Sequence, residues 1–398
     1  MFLSICRILG VALAALATIL FGAWVTSPDP KFNPATFEDD PFETTISPLS
    51  TAVTLAQYVN DDTEIVTLLI ESYDGAQIRG VDLANLGAAR TADPFEALAS
   101  IDDEKLSNAF SLGLETVSVP VSRVSSAGPT GAQHIGIGTN FPEHAEEAQS
   151  GSVFNFPKFG TATPARTTVS APEGGLLDYE VELCLRFDRP IETLDDFDAA
   201  VKGFFLCADF TDRIKLLELA DPDNLDSGYG FSDSKSGVGF FPTGPFLVVP
   251  TDWRSFIAET RMMTLLNGEP RQDARGSEMI LDFRRLTEKV LADMSEPRFF
   301  YRDDFFTLTP NGRIERDMTL MSGTSEGVIF TAPQRHDYID IVFGYALSGG
   351  PLSGQDFMDY AIPAFVENER SSGHFLKPGD KVRYQASRLG DIDVDVTP

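Results

Sequence analysis

A mostly β body with a few helices, preceded by a small N-terminal α+β region, is the fold class this sequence predicts. Three observations predict it. From Gln133 onward the chain turns rich in glycine and in short β runs separated by turn signals. The segment from Leu177 to Phe187 alternates apolar and polar residues with period two. Hydrophobic residues make up 42% of the 398, enough for a substantial core, and the length suits two domains or one large domain with an appendage.

Taken in order, the first element is apolar. Residues 8–25, ILGVALAALATILFGAWV, carry no charge. A bilayer core asks for about 20 apolar residues, with ~17 as the lower limit, whereas a signal-peptide apolar region runs to ~7–15. The run falls between the two. Arg7 before it and Trp24 near its end favour an uncleaved anchor, with the rest of the chain on the far, periplasmic side and the membrane touched by this segment alone. A cleaved signal and a buried helix are the competing readings. Residues 1–27 are therefore expected as a signal or anchor segment, and 28–50, rich in Pro, Asp, Ser and Thr, as a linker. Residues 51–125 mix β runs (65–70, 116–121) with helical stretches (93–99, 103–110) and read as a small N-terminal domain. Residues 126–398 read as the main domain.

The charge balance, 31 Lys+Arg against 60 Asp+Glu for a net −29, excludes nucleic acid as a partner, because no basic face is available to displace phosphate counterions. Of the three cysteines, Cys184 and Cys207 sit in apolar runs and are expected to pack as small hydrophobes. A bridge between them is the alternative if the domain is exported.

The most informative strand is LDYEVELCLRF. Tyr179, Val181, Leu183, Leu185 and Phe187 form one face; Asp178, Glu180, Glu182, Cys184 and Arg186 form the other. Glu180 and Glu182 then project together, about 7 Å apart. Two like charges held so close destabilise the strand unless a cation sits between them. The plain alternative is a solvated strand face. A short helix capped by Thr193 follows, and then a second apolar run, from Phe204 to Ala208, that ends on Asp209. A carboxylate placed there is costly unless paired or ligated.

These segments, with five others in register, resemble the fumarylacetoacetate hydrolase family. GTNFPEHAEE (138–147) resembles its G-x-N-Y-x-x-H-x-x-E, DYEVEL (178–183) its D-Y-E-x-E-L, and CADFTDR (207–213) the run supplying a third metal carboxylate. KSGVGFFPTGP (235–245), NGEPRQDARGSEMI (267–280), LMSGTSEGV (320–328) and the C-terminal strand pair (375–396) complete the match. The resemblance implies a mixed β-sandwich or rolled sheet with the site in its mouth, frequent homodimers, and a small oxo-acid substrate. It implies Mg2+, or Mn2+ or Ca2+, held by Glu180, Glu182 and Asp209. It gives His144 and Glu147, at i and i+3 of a helix after Pro142, the activation of water, and Lys235 the stabilisation of a developing oxyanion. Arg213 and Thr324 become substrate-binding candidates, and Asn140, Phe141 and Lys158 pocket-lining ones. A surface ion pair for His144–Glu147 and an exposed loop lysine for Lys235 are the bland readings. His134, His336 and His374 match no role and are expected at surface or structural positions.

Departures from the pattern fall in the pocket. Ala208 stands where Asn is usual, and Ile214, Lys215 and Leu216 replace a run that carries a substrate-contacting Gln. Gly239 replaces a Thr and Ser325 a Pro. Residues 329–374 form a long insertion of the kind that makes lids. The activity expected is hydrolysis of a C–C bond in an acylpyruvate or β-diketo acid. The alternatives are an oxo-acid decarboxylase, hydratase or isomerase, or a non-catalytic binding protein on this scaffold.

Overall fold

The computed structural model describes residues 2–28, 32–171, 173–221 and 224–398, with the backbone alone for 2–10 and 13. The Cys6 and Arg7 side chains, and Asp29 and Pro30 of the expected linker, lie outside the described residues. The chain forms two compact units, one of Met1–Asn33 with Ile329–His374, the other of Pro34–Val328 with Phe375–Pro398.

The larger unit is built on two strands, β8 (Leu177–Phe187) and β9 (Lys202–Asp212). They pair antiparallel along their whole length, from Leu177 opposite Asp212 to Phe187 opposite Lys202. They belong to a ten-stranded sheet. Outward from β9 come β10 (Leu247–Pro250), β1 (Ala52–Val59), β2 (Ile65–Tyr73), β3 (Gln77–Asp82) and β4 (Thr116–Pro120). Outward from β8 come β15 (Leu320–Met321), β5 (Gln133–Gly138) and β6 (Phe154–Phe159). The segment 51–125, expected as a domain of its own, thus supplies four strands of the sheet that carries the carboxylates.

A five-stranded sheet in the order β12 (Glu269–Arg275), β11 (Arg261–Leu266), β16 (Lys381–Ala386), β17 (Gly390–Thr397) and β7 (Arg166–Ser170) lies against β8 and β9. The two sheets make the mixed sandwich that the sequence predicts. Sequence alternation implied a strand with one face in the core. In the structure both faces of β8 are covered, and only Arg186 is partly exposed. A hairpin of β13 (Phe299–Tyr301) and β14 (Asp304–Phe306) completes the strands.

Among the described residues eight short helices decorate this unit: α2 (Pro94–Ala99), α3 (Asp103–Ser107), α4 (Pro142–Glu147), α5 (Leu194–Ala199), α6 (Arg213–Leu219), α7 (Phe231–Lys235), α8 (Trp253–Glu259) and α9 (Phe283–Asp293). Their starts are legible in the sequence. Asp93 caps α2, and Thr193 caps α5 in a reciprocal box with Asp196. The predicted helix 103–110 is shorter: α3 stops at Ser107 and a 3-10 turn, Ala109–Ser111, follows.

The smaller unit joins α1 (Phe2–Val25) to α10 (Arg335–Leu347), α11 (Gly350–Ser353) and α12 (Phe357–Ser372). Here the sequence expectation of a membrane anchor and an exported, periplasmic domain is overturned. Among the described residues no helix is long and apolar enough to cross a membrane. The charge-free run is at the lower length limit for a span. Its C-terminal end is engaged by protein: α1 packs on α10, and Trp24 Nε1 donates to Asp340 Oδ2 (3.1 Å).

A second correction concerns the cysteines, which are bonded to each other rather than packed as free thiols. Cys207 lies directly opposite Glu182 and Cys184 opposite Phe205. Period two puts both sulfurs on one face, with the Cα atoms 5.9 Å apart, inside the range a disulfide spans.

Candidate active site

The site grows from the polar face of β8. Glu180 stands directly opposite Asp209, and Glu182 is one pleat further along. All three are buried, and they offer carboxylate oxygens within 4.8 Å of one another. Isolated from water, such a set is untenable without positive charge. The fold brings in three cations. Lys158, on β6, donates to Asp209 Oδ1 (2.5 Å) and to the carbonyls of Lys235 and Phe240. Lys235, at the end of α7, donates to Glu180 Oε2 (2.7 Å) and lies 3.0 Å from Asp209 Oδ2. Arg213, where β9 turns into α6, reaches Asp178 (2.8 Å) and Glu180 (3.0 Å).

The carboxylates respond differently to this field. Burial pushes Glu180 up, but Lys235, Arg213 and His144 together hold it at about 2. Burial, Asp209 and Glu180 push Glu182 well above the usual carboxylate range, against which Lys235 and the Gly323 N–H work only in part. Burial lowers the Lys158 ammonium in spite of Asp209, and Lys235 is raised because Asp209 and Glu180 outweigh its burial. Asp209 Oδ2 is buried and has no hydrogen bond, although Lys235 Nζ is near. An all-oxygen donor set with an unsatisfied buried atom and one carboxyl driven toward its neutral form fits a hard divalent cation.

His144 and Glu147 lie on α4, whose first turn is started by Pro142. His144 Nδ1 is 2.9 Å from Glu147 Oε2, and the Gly327 N–H donates to Glu147 Oε1 (2.8 Å). The carboxylate therefore selects the Nδ1–H tautomer and leaves Nε2 as the basic nitrogen. The pair is nearly buried rather than a surface ion pair, and the charge of His144 reaches Glu180.

One tight turn ties the two halves together. Gly323 (φ +78) donates its N–H to Glu182 Oε2 (2.9 Å), and four residues on Gly327 (φ +94) serves Glu147. A Cβ at Gly327 would meet the Arg271 carbonyl oxygen at 2.1 Å, so glycine is obligatory there. Thr324 is buried, and its hydroxyl accepts from Gln272 Nε2 (2.9 Å).

The structure thus brings Glu180, Glu182, Asp209, Lys158, Lys235 and Arg213 together, with His144 and Glu147 beside them. Lys158, expected to line the pocket, is a direct partner of Asp209. Asn140 is placed differently from the sequence expectation. Its amide is spent on the backbone of Leu281 and Ser322 (2.8–3.0 Å), which makes it a brace for the turn. Phe141 is fully buried at the start of α4. Sequence reasoning assigned no role to Gln272 or Thr211. Gln272 joins Val181, Thr264, Thr324 and Ser325 in one buried network. Thr211 links Lys235 to Glu180. Gln272 was visible as the glutamine of the 267–280 segment, and Thr211 as the residue two places after Asp209, hence on the same strand face.

Residues 133–397 match the family model for the fumarylacetoacetate (FAA) hydrolase C-terminal region. No curated protein matches. Among solved structures, the chain is similar in fold to 2-hydroxyhepta-2,4-diene-1,7-dioate isomerase from Mycobacterium marinum (TM-score 0.52, 15% identity, covering 87% of this chain and 98% of that one). It is also similar to 5-carboxymethyl-2-hydroxymuconate delta-isomerase from Mycobacterium smegmatis (TM-score 0.50, 16% identity, 86% and 98%).

Proposed function

Because the chain belongs to the fumarylacetoacetate hydrolase family, we propose that it is a divalent-metal-dependent hydrolase cleaving a C–C bond in a small acylpyruvate or β-diketo acid. Glu180, Glu182 and Asp209 hold the metal, Mg2+ or Mn2+ or Ca2+, which supplies Lewis-acid polarisation of the substrate's paired oxygens. His144 Nε2 takes a proton from water as its oxygen bonds to the acyl carbon, and Glu147 steadies the imidazolium. The C–C bond breaks toward the pyruvate side, whose enolate carbon recovers the proton. Lys235 faces the negative charge that develops meanwhile. Arg213 holds Glu180 in place, and Lys158 does the same for Asp209.

The observation that carries this reading is the convergence of three buried carboxylates beside an oriented His–Glu pair. A reaction that needs no activated water, such as isomerisation or decarboxylation, is favoured by one feature: α6 carries Leu216 where a substrate-contacting Gln would stand. The test is turnover of an acylpyruvate by the Mg2+- or Mn2+-loaded protein, with products identified. His144→Ala is expected to lower kcat by about 10²–10⁴-fold with metal content unchanged. Equal turnover by variant and wild type, or enol–keto exchange without cleavage, would overturn the hydrolytic reading.

A further inference from the structure

Within the β8–β9 pair three side chains border Glu182 on its own face, and two of them are bonded to each other. Along β8, period two places Glu180 on one side of it and Cys184 on the other. Directly across stands Cys207, two places before Asp209 on β9. The Cys184–Cys207 disulfide therefore closes one end of the carboxylate row, on the face that carries the triad. The contact is direct: Cys207 Sγ lies 3.5 Å from the Glu182 carbonyl oxygen. Away from the triad both cysteines are fully buried in an apolar cluster with Phe205, Phe241, Leu247 and Met321. The bond is thus a wall between the triad and the core.

Glu182 depends on that wall more than the other two carboxylates do. Glu180 is held by Lys235, Arg213 and Thr211, and Asp209 by Lys158. For Glu182 the hydrogen bond among the described residues is the Gly323 N–H (2.9 Å). A buried side chain with so little polar support takes its orientation from packing. Two thiols need more room than two bonded sulfurs, because non-bonded atoms stop at van der Waals contact. With the apolar core closed behind them, the added volume presses on the carboxylate side. The β8–β9 ladder runs past the cysteines in both directions and holds the backbone with or without the bond. What the bond fixes is the space around Glu182.

Resting on the metal reading of the triad, we propose that Cys184 and Cys207 are positioning residues of the metal site, whose disulfide raises affinity for the ion by fixing Glu182. Reduction by a dithiol breaks the S–S bond. Two electrons and two protons pass from the reductant, which becomes a disulfide, and two cysteine thiols remain. The dithiol chain should bind a hard divalent ion about tenfold more weakly, the loss that follows removal of an outer support for a ligand. Linkage requires the converse: the ion must favour the disulfide by the same factor. Tenfold is about 30 mV in this two-electron couple.

The experiment measures Mn2+ binding to the full chain by electron paramagnetic resonance, with the disulfide intact and with Cys184→Ala and Cys207→Ala together. The Kd is expected to be about tenfold higher in the variant. A bond that only secures the fold would lower resistance to denaturant and leave the Mn2+ affinity of the folded chain alone. Equal affinities therefore overturn the proposal and leave the metal reading standing. No Mn2+ binding by either form, even at millimolar concentration, overturns both. Should the alanine pair not fold, Cys184→Val with Cys207→Ala fills more of the vacated volume and is judged by the same ratio. The reciprocal measurement needs no substitution. The wild-type chain is equilibrated in glutathione buffers with and without saturating Mn2+, where circular dichroism shows the reduced form folded, and its thiols are trapped by alkylation and counted by mass. A midpoint about 30 mV more negative with Mn2+ supports the coupling, and an unchanged midpoint refutes it.

Discussion

Buried carboxylates occur in two regions of the larger unit, and they differ in whether their oxygens are occupied. At Asp391 on β17 both oxygens have donors: Tyr73 and Arg166 reach Oδ1, and Arg383 reaches Oδ2. Asp273 on β12 is satisfied in the same way by Arg261 and the Glu38 N–H. In the triad Glu180 and Asp209 Oδ1 are served by Lys158, Lys235, Arg213 and Thr211, but the donors thin out beyond them: Glu182 has one backbone N–H and two carboxylate neighbours, and Asp209 Oδ2 has the Lys235 ammonium at 3.0 Å without an aligned hydrogen bond. A saturated carboxylate is part of the scaffold, whereas an unsaturated one at equal depth has capacity left for a ligand.

The comparison breaks most visibly at Glu182. If its carboxyl is driven toward the neutral form, Glu182→Gln replaces it with a near isostere that still accepts from Gly323. Stability to denaturant should then change by less than about 1 kcal/mol, while Mg2+ or Mn2+ affinity falls more than ~100-fold, beyond what loss of an outer partner costs. A large destabilisation with metal affinity intact would place Glu182 with the scaffold. Asp391→Asn should do the reverse. It removes one of the two carboxylates that Arg166 and Arg383 share, and because Asp393 still reaches both arginines the cost is expected at about 2 kcal/mol, that of hydrogen bonds to a charged group. Metal affinity should not move.

The saturated class also makes a pH prediction. His134 is fully buried, with Nε2 on the Gly160 carbonyl (3.0 Å) and Nδ1 accepting the Thr319 N–H (3.2 Å). Burial, with the Lys158 charge, pushes it from 6.5 down to about 4. The unfolded chain therefore binds a proton between about pH 6.5 and 4 that the folded chain refuses. Stability is fully present above pH 6.5 and is lost as pH falls through that window, by about 3 kcal/mol for this residue. His134→Gln should flatten the denaturation profile there, and an unchanged slope would contradict the assignment.

What was legible in the sequence follows the same divide. Period two exposed the Glu180–Glu182 face, and the apolar run before Asp209 marked its carboxylate as needing a partner, because both signals are local. The motifs gave His144, Glu147 and Lys235. What stayed hidden depends on contacts between distant segments. The amide of Asn140 braces residues 281 and 322, and Gln272 reaches Thr324 across 52 positions. The apolar N-terminal run was misread because hydropathy alone names no destination: the end of α1 contacts α10, and most of its described side chains stay exposed. The cysteines were misread because their pairing is a matter of register.

The smallest effect separates the two regions by backbone alone. Gly323 and Gly268 both have positive φ, +78 and +87. An alanine at either should cost about 1–2 kcal/mol of left-handed strain. Gly268 ends the Asn-Gly turn between β11 and β12, and a Cβ there would meet nothing within 4 Å. At Gly323 a Cβ would lie 3.2 Å from both Asn140 Cβ and the Ile137 carbonyl oxygen. The turn must shift to relieve that crowding, and its N–H to Glu182 shifts with it. The two variants should therefore lose similar stability, yet only Gly323→Ala should weaken metal binding, by about tenfold, as loss of an outer hydrogen bond to a ligand does. Equal metal affinity in the two would mean that the Gly323 amide serves the fold and not the carboxylate's readiness for an ion.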